Sequence, residues 1–218
     1  IVGTLLSTLI AMVIAIPLAM GIAIFLTEIA HAQLVKPVSI AIELLAAIPS
    51  IIYGMWGLFY FAPIIQSTMG GEGVGLLTAG IVLAIMIIPF MAAITRDAMN
   101  TVPPVLKESA YAMGATTFEV VKDVVMPYAK GGIIGSIILA LGRALGETMA
   151  VAFLIGSVMS IPSRITDPTT SIPVLLANNF AEAQDLEISA MYYLALILFV
   201  VSFALISLAK FYFFRKTA

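Results

Sequence analysis

Apolar residues in this chain come in long unbroken runs. Five are long enough to cross a bilayer as helices, at about 1–27, 48–65, 74–95, 132–157 and 188–211. A helix needs ~20 mainly apolar residues to cross the hydrocarbon core. The short alternating segments of a transmembrane strand are absent. Pro17 and Pro89 fall inside the first and third runs. Membrane helices tolerate them, because neighbouring helices and waters satisfy the freed carbonyls. The pattern predicts an all-α, polytopic membrane protein.

Between the third and fourth runs, over residues 100–130, the pattern changes. Pro103-Pro104 ends one helix and pre-sets the next. Leu106, Ala110 and Met113 then share one face of a short helix, and Gly114 ends it as a left-handed cap. Thr116-x-x-Glu119 reads as the capping box of a second short helix, which Pro127 is expected to close. The product is a helical elbow, polar outside and apolar on one face. It is either an object built to dock or an amphipathic connector lying on the membrane.

Basic residues orient the runs. Lys36 lies between runs one and two, and Arg96, Lys107, Lys122 and Lys130 between three and four. Lys210, Arg215 and Lys216 close the chain. Alternation puts all of these on one side, with Arg164 alone on the other. The positive-inside rule makes the first side cytoplasmic, so the elbow and C-terminus are expected there. Glu72, Asp167, Glu182, Asp185 and Glu187 fall outside. This leaves Ile1 external, and a leading sixth helix is expected before it.

Composition narrows the class. Hydrophobic residues make up 62% and charged residues 10%, at a mean hydropathy of +1.16, which no soluble domain of this length can bury. The net charge of −2 adds nothing. With no cysteine, thiolate metal sites and disulfides are excluded. The single histidine, His31, is expected in an interfacial loop and leaves little for a Ser/His triad or a multi-histidine site.

Two charges interrupt the fourth run. Arg143 and Glu147 lie in Gly135–Ser157, read as one continuous helix. A charge at bilayer centre costs ~2.5–3.5 kcal/mol on insertion scales. Four residues apart on a helix, the two share a face and can pair. Ser136, Ala140 and Ala150 are placed on that face. Such a stripe suits a helix seam or a polar pathway. The pair is either a substrate or gating site, or an ion pair that fixes packing. Gly131-x-x-x-Gly135 and Gly142-x-x-x-Gly146 permit close helix contact on the same run.

Other residues carry weaker signals. Pro49, Ser50 and Tyr53 open the second run as pathway or anchor residues, and Trp56, Phe59 and Tyr60 suit an aromatic belt. Thr148 and Ser157 can bond backbone across helices. Ser171, Pro173 and 174–181 predict a short outer helix, and Gly70-Gly71-Glu72-Gly73 a turn. The glycine-rich phosphate loop of ATPases does not occur.

Glu108-Ser109-Ala110, three residues, Gly114, nine residues, then Val124-x-Met126-Pro127 resembles the EAA loop of type I ABC-importer permeases. That family's pattern is Glu-Ala-Ala, three residues, Gly, nine residues, Ile-x-Leu-Pro. Ser109, Val124 and Met126 depart mildly, and the spacing is kept. Gly142–Ala152, Ile48–Ile64 and Gly3–Glu28 are similar to the PstC-type permeases of phosphate import. The resemblance covers nearly the whole chain as one permease domain, 1–218.

The resemblance implies a permease subunit of an ATP-driven inorganic phosphate importer that hydrolyses no ATP itself. Glu108, Ser109, Ala110, Gly114 and Pro127 would couple to a cytoplasmic ATPase dimer holding ATP-Mg; this chain itself would bind no cofactor and no metal. The other implied partners are a second, PstA-like permease, a periplasmic or lipid-anchored phosphate-binding protein and membrane lipid, with no nucleic acid. Arg143 would meet the anion on its route, with Glu147 one turn away to hold and temper it. A permease for molybdate or sulfate, an ATP-independent channel and an intramembrane enzyme are the competing readings.

Overall fold

The computed structural model describes residues 1–215, so Lys216 lies outside the described residues. Among them the chain forms nine helices, and the only strand-like feature is an isolated bridge between Gly156 and Thr169. The helices are α1 (Val2–Ile29), α2 (Ala32–Ala47), α3 (Ser50–Met69), α4 (Leu76–Asn100) and α5 (Pro104–Ala112). They continue with α6 (Thr117–Leu145), α7 (Met149–Ala152), α8 (Ile172–Asn179) and α9 (Leu186–Arg215).

Helix α4 is the central post, packed against α1, α2 and α6. Between membrane helices the hydrophobic effect gives little, so close packing of small residues must hold them. Helix α1 supplies such a stripe in Thr4, Thr8, Ala11, Ala15, Ala19 and Ala23, all buried. Helix α6 adds Ser136, Ala140 and Ala144. The Ser136 and Thr95 hydroxyls share a 2.7 Å hydrogen bond across the α4–α6 seam. The small-residue face expected on the fourth run is therefore a helix seam.

The path of the chain follows from its end contacts. The Ile172 N–H donates to Thr4 Oγ1 (3.0 Å), while Leu76 and Leu77 N–H donate to the Asp167 and Ile165 carbonyls (3.1 and 2.8 Å). One loop thus touches the first turns of both α1 and α4. At the other end, Thr27 Oγ1 lies 3.8 Å from Met99 Sδ. Helices α1 and α4 run parallel, so α2 and α3 together must carry the chain back. They meet at an 89° bend, pinned by the Tyr53 hydroxyl donating to the Leu45 carbonyl (2.9 Å). With α4, α6 and α9 this makes five crossings.

Three expectations need correction. Residues 32–47, left between the first two runs with Lys36, form α2; Gln33, Lys36, Pro37 and Glu43 break up its apolar run. Pro127 does not close the second elbow helix. The helix runs on to Leu145, because a π-turn at Val121–Val125 takes up the register just before the residue that lacks an N–H. The fourth span stops at Leu145, not near residue 157.

Of the two small-xxx-small spacings, the second does face a helix, since a Cβ at Gly142 would lie 3.4 Å from Ile206 Cδ1 of α9. A Cβ at Gly131 or Gly135 would meet nothing within 4 Å, whereas Gly132 faces Ala98 directly. His31 lies exposed between α1 and α2, as expected.

Candidate functional site

Two places carry the sequence-predicted residues. The first is the break in the fourth span. Helix α6 ends at Leu145, Gly146 and Glu147 follow, and α7 restarts at Met149. Arg143 is in the last turn of α6, not mid-helix. Glu147 is beyond the break, so the i,i+4 geometry that would pair them is lost and no ion pair joins them. Glu147 instead uses Oε1 to accept the Ala150 N–H at 3.2 Å. That serves one of the free donors at the start of α7. The Thr148 hydroxyl donates to the Gly146 carbonyl at 3.2 Å.

Arg143 is held by a ring. Its guanidinium carbon lies 5.3 Å from the centroid of Phe90, a cation–π contact. Phe90 is near the middle of α4, so the cation keeps the depth expected of it although its helix ends early. Its Nε is buried with no hydrogen-bond partner. A guanidinium offers five N–H donors. One with a donor unmet has the chemistry to donate to the oxygens of an anion.

The segment beyond the break is closely packed. Gly54 of α3 sits against α7, where a Cβ would lie 2.9 Å from the Ala150 Cα. Backbone meets backbone there, which keeps α7 beside the bend region of α3. Tyr53 serves the bend, and Trp56, Phe59 and Tyr60 are exposed, as belt aromatics are. Ser50 starts α3 after Pro49. Ser157 adopts a positive φ of 52° and its Oγ accepts from Asn178 Nδ2 at 3.4 Å.

The second place is the elbow, whose local chemistry appears as the spacing predicts. Pro104 is the first residue of α5. The Gly114 N–H bonds the Tyr111 carbonyl and the Ala115 N–H the Ala110 carbonyl, the paired bonds of a Schellman cap, with Gly114 at φ 91°. Thr116 and Glu119 form the reciprocal capping box. Ala110 is buried in a small core with Met99, Val102, Val120 and Val125. Glu108, Ser109, Gly114 and Pro127 are exposed. Met113 and Phe118 are 83% and 73% exposed, so the outer surface carries bulky apolar side chains that no described residue covers.

Sequence reasoning missed Phe90, which shows no signal beyond its place after Pro89. It also missed the ion pair between Lys107 and Glu28, whose partners lie 79 residues apart. No cluster of three or more His, Asp or Glu fit to hold a metal occurs among the described residues.

An all-helical chain with five crossings and a capped elbow between its third and fourth is a transporter transmembrane domain in architecture. Residues 1–217 match the family described as binding-protein-dependent transport system inner membrane component, and the chain belongs to that family. It is 50% identical to the phosphate transport system permease protein PstC of Pasteurella multocida (strain Pm70), over 96% of this chain and 72% of that one. It is 51% identical to PstC of Haemophilus influenzae, over 96% and 73%. PstC 1 of Mycobacterium tuberculosis is 37% identical over 84% of this chain and 60% of its own length. In fold it is similar to a chain of the inward-facing MetNI methionine ABC transporter, at TM-score 0.75 and 22% identity, over 99% of this chain and 91% of that one.

Proposed function

We propose that this chain is the permease subunit of an ATP-driven inorganic phosphate importer, a single permease domain forming half of the translocation pathway. The observation that carries it is the Arg143 guanidinium at mid-depth, braced on Phe90 with its Nε unsatisfied. Inorganic phosphate carries one to two negative charges near neutral pH, and its oxygens suit a guanidinium fork. The relatives named for phosphate transport support phosphate over another oxyanion. ATP-Mg would be bound and hydrolysed in a separate ATPase dimer.

The elbow faces the cytoplasm and seats in that ATPase through Glu108, Ser109, Ala110, Gly114 and Pro127. The partners are a second, similar permease and a phosphate-binding protein that delivers cargo on the opposite face. Arg143 takes the anion as the pathway opens inward. Glu147, across the break, tempers its charge so that cargo leaves. The basic residues at the elbow end support this orientation.

The test is radiolabelled phosphate uptake by the assembled importer in cells lacking their own, with sulfate and molybdate as competitors. ATP-dependent uptake that neither competitor reduces supports the proposal. Competition by molybdate or sulfate overturns the choice of cargo, and uptake without ATP overturns the ATP-driven mechanism.

A further inference from the structure

Helix α1 ends in a π-turn, Phe25–Ile29, closed by the Ala30 N–H on the Phe25 carbonyl at 2.7 Å. Wide turns of this kind re-aim side chains and are common at working sites. Here the turn carries Thr27 towards Met99 of α4 and Glu28 towards the elbow. Lys107 Nζ donates to Glu28 Oε1 at 2.6 Å, with the Glu28 side chain 5% exposed and the Lys107 side chain 20%. By contrast, Arg96 pairs with Glu43 and Asp97 through carboxylates more than half exposed.

An exposed ion pair is worth little, but a buried carboxylate robbed of its partner is strongly destabilised. The Glu28–Lys107 contact is thus a buried polar tie between the elbow and a spanning helix. It adjoins the short core of Ala23, Met99, Ala110 and Val120, where α1, α4 and the elbow meet. Lys107 directly precedes the exposed Glu108 and Ser109, so whatever moves the docking surface pulls on Glu28. Helix α1 packs along α4, which carries Phe90 and through it Arg143.

We propose that Glu28 and Lys107 are positioning residues for transport, a polar strut that makes α1 follow the elbow and so passes its motion to the α4 post. This rests on the reading of the elbow as the ATPase contact. The pair touches neither cargo nor nucleotide. Its loss uncouples hydrolysis from uptake and does not abolish either binding step.

The test uses the whole importer in proteoliposomes, measuring uptake of radiolabelled inorganic phosphate and ATP hydrolysis together. Glu28→Gln and Lys107→Met each lower phosphate moved per ATP about tenfold, while hydrolysis stays within about twofold of wild type, which is a loss of roughly 1.4 kcal/mol of coupling. The reversed pair, Glu28→Lys with Lys107→Glu, restores most of the ratio. The apolar pair, Glu28→Leu with Lys107→Leu, removes the buried charge without leaving one unpaired, so it keeps the chain folded and stays uncoupled. Wild-type coupling in that apolar pair overturns the strut. If Gly114→Val also leaves the ratio untouched, the reading of the elbow itself has failed; if Gly114→Val uncouples and the strut variants do not, only the strut has.

Discussion

The elbow and the break in the fourth span are both interruptions of helix, built by opposite means. The elbow is stopped and restarted by local chemistry: Pro104 at the start of α5, a Schellman cap at Gly114 and a capping box at Thr116 and Glu119. Each device acts within a few residues. The break at Gly146 and Glu147 has little such chemistry. It lies where Gly54, some ninety residues earlier, packs closely on Ala150, and where Glu147 accepts one N–H. An interruption set by its own residues can keep its shape while it moves as a body. One packed against a neighbouring helix changes when that neighbour shifts, which suits a site that must hold and release.

The largest expected effect falls at the break. Arg143→Ala removes a cation braced at mid-depth, and a hydrogen bond to a charged group is worth ~1.5–3 kcal/mol. Uptake of labelled phosphate should drop by about 100-fold, with the protein still present in the membrane at normal level. Next comes Gly114→Val at the elbow. A branched residue at positive φ costs ~1–2 kcal/mol and re-aims the docking surface, with open space around it. The expected signature is hydrolysis that persists while uptake per ATP falls.

Glu147→Gln should act more mildly than Arg143→Ala. The amide oxygen still accepts the Ala150 N–H, so thermal stability stays near wild type. On the proposed role of Glu147 as a nearby charge rather than an ion-pair partner of Arg143, its loss slows anion release and lowers uptake, which single-turnover efflux would register as a longer retention time. Smallest is Thr116→Ala, the loss of one cap at a cost of ~1 kcal/mol. Thermal denaturation of the purified complex should shift down slightly, with coupling retained. A large uncoupling by Thr116→Ala would erase the contrast between a self-standing elbow and a dependent break.

That contrast also governs how much could be read from sequence. Gly114, Thr116 and Glu119 announce their roles in a window of a few residues, and the structure repeats them bond for bond. Arg143, Gly146, Glu147 and Thr148 do interrupt the apolar run before it resumes at Met149–Ile155, but charges four residues apart read equally well as one continuous helix, so the end of α6 shows only in the fold. Helix α2 was hidden for the opposite reason: polar residues and Pro37 make it read as a connector, and only its packing on α4 makes it half of a crossing. Arg143 was legible because a charge in an apolar run is rare. Its partner Phe90 was not, because a phenylalanine in such a run carries no signal. Glu28 and Lys107 are each ordinary helix-end charges, and only the fold brings them together.

The most direct test is paired measurement of phosphate uptake and ATP hydrolysis in the reconstituted importer for Arg143→Ala and Gly114→Val. The account predicts two different failures. In Arg143→Ala the binding protein still stimulates hydrolysis while phosphate uptake is lost; in Gly114→Val that stimulation disappears and basal hydrolysis continues. Identical behaviour of the two variants, or near-normal uptake by Arg143→Ala, would contradict it.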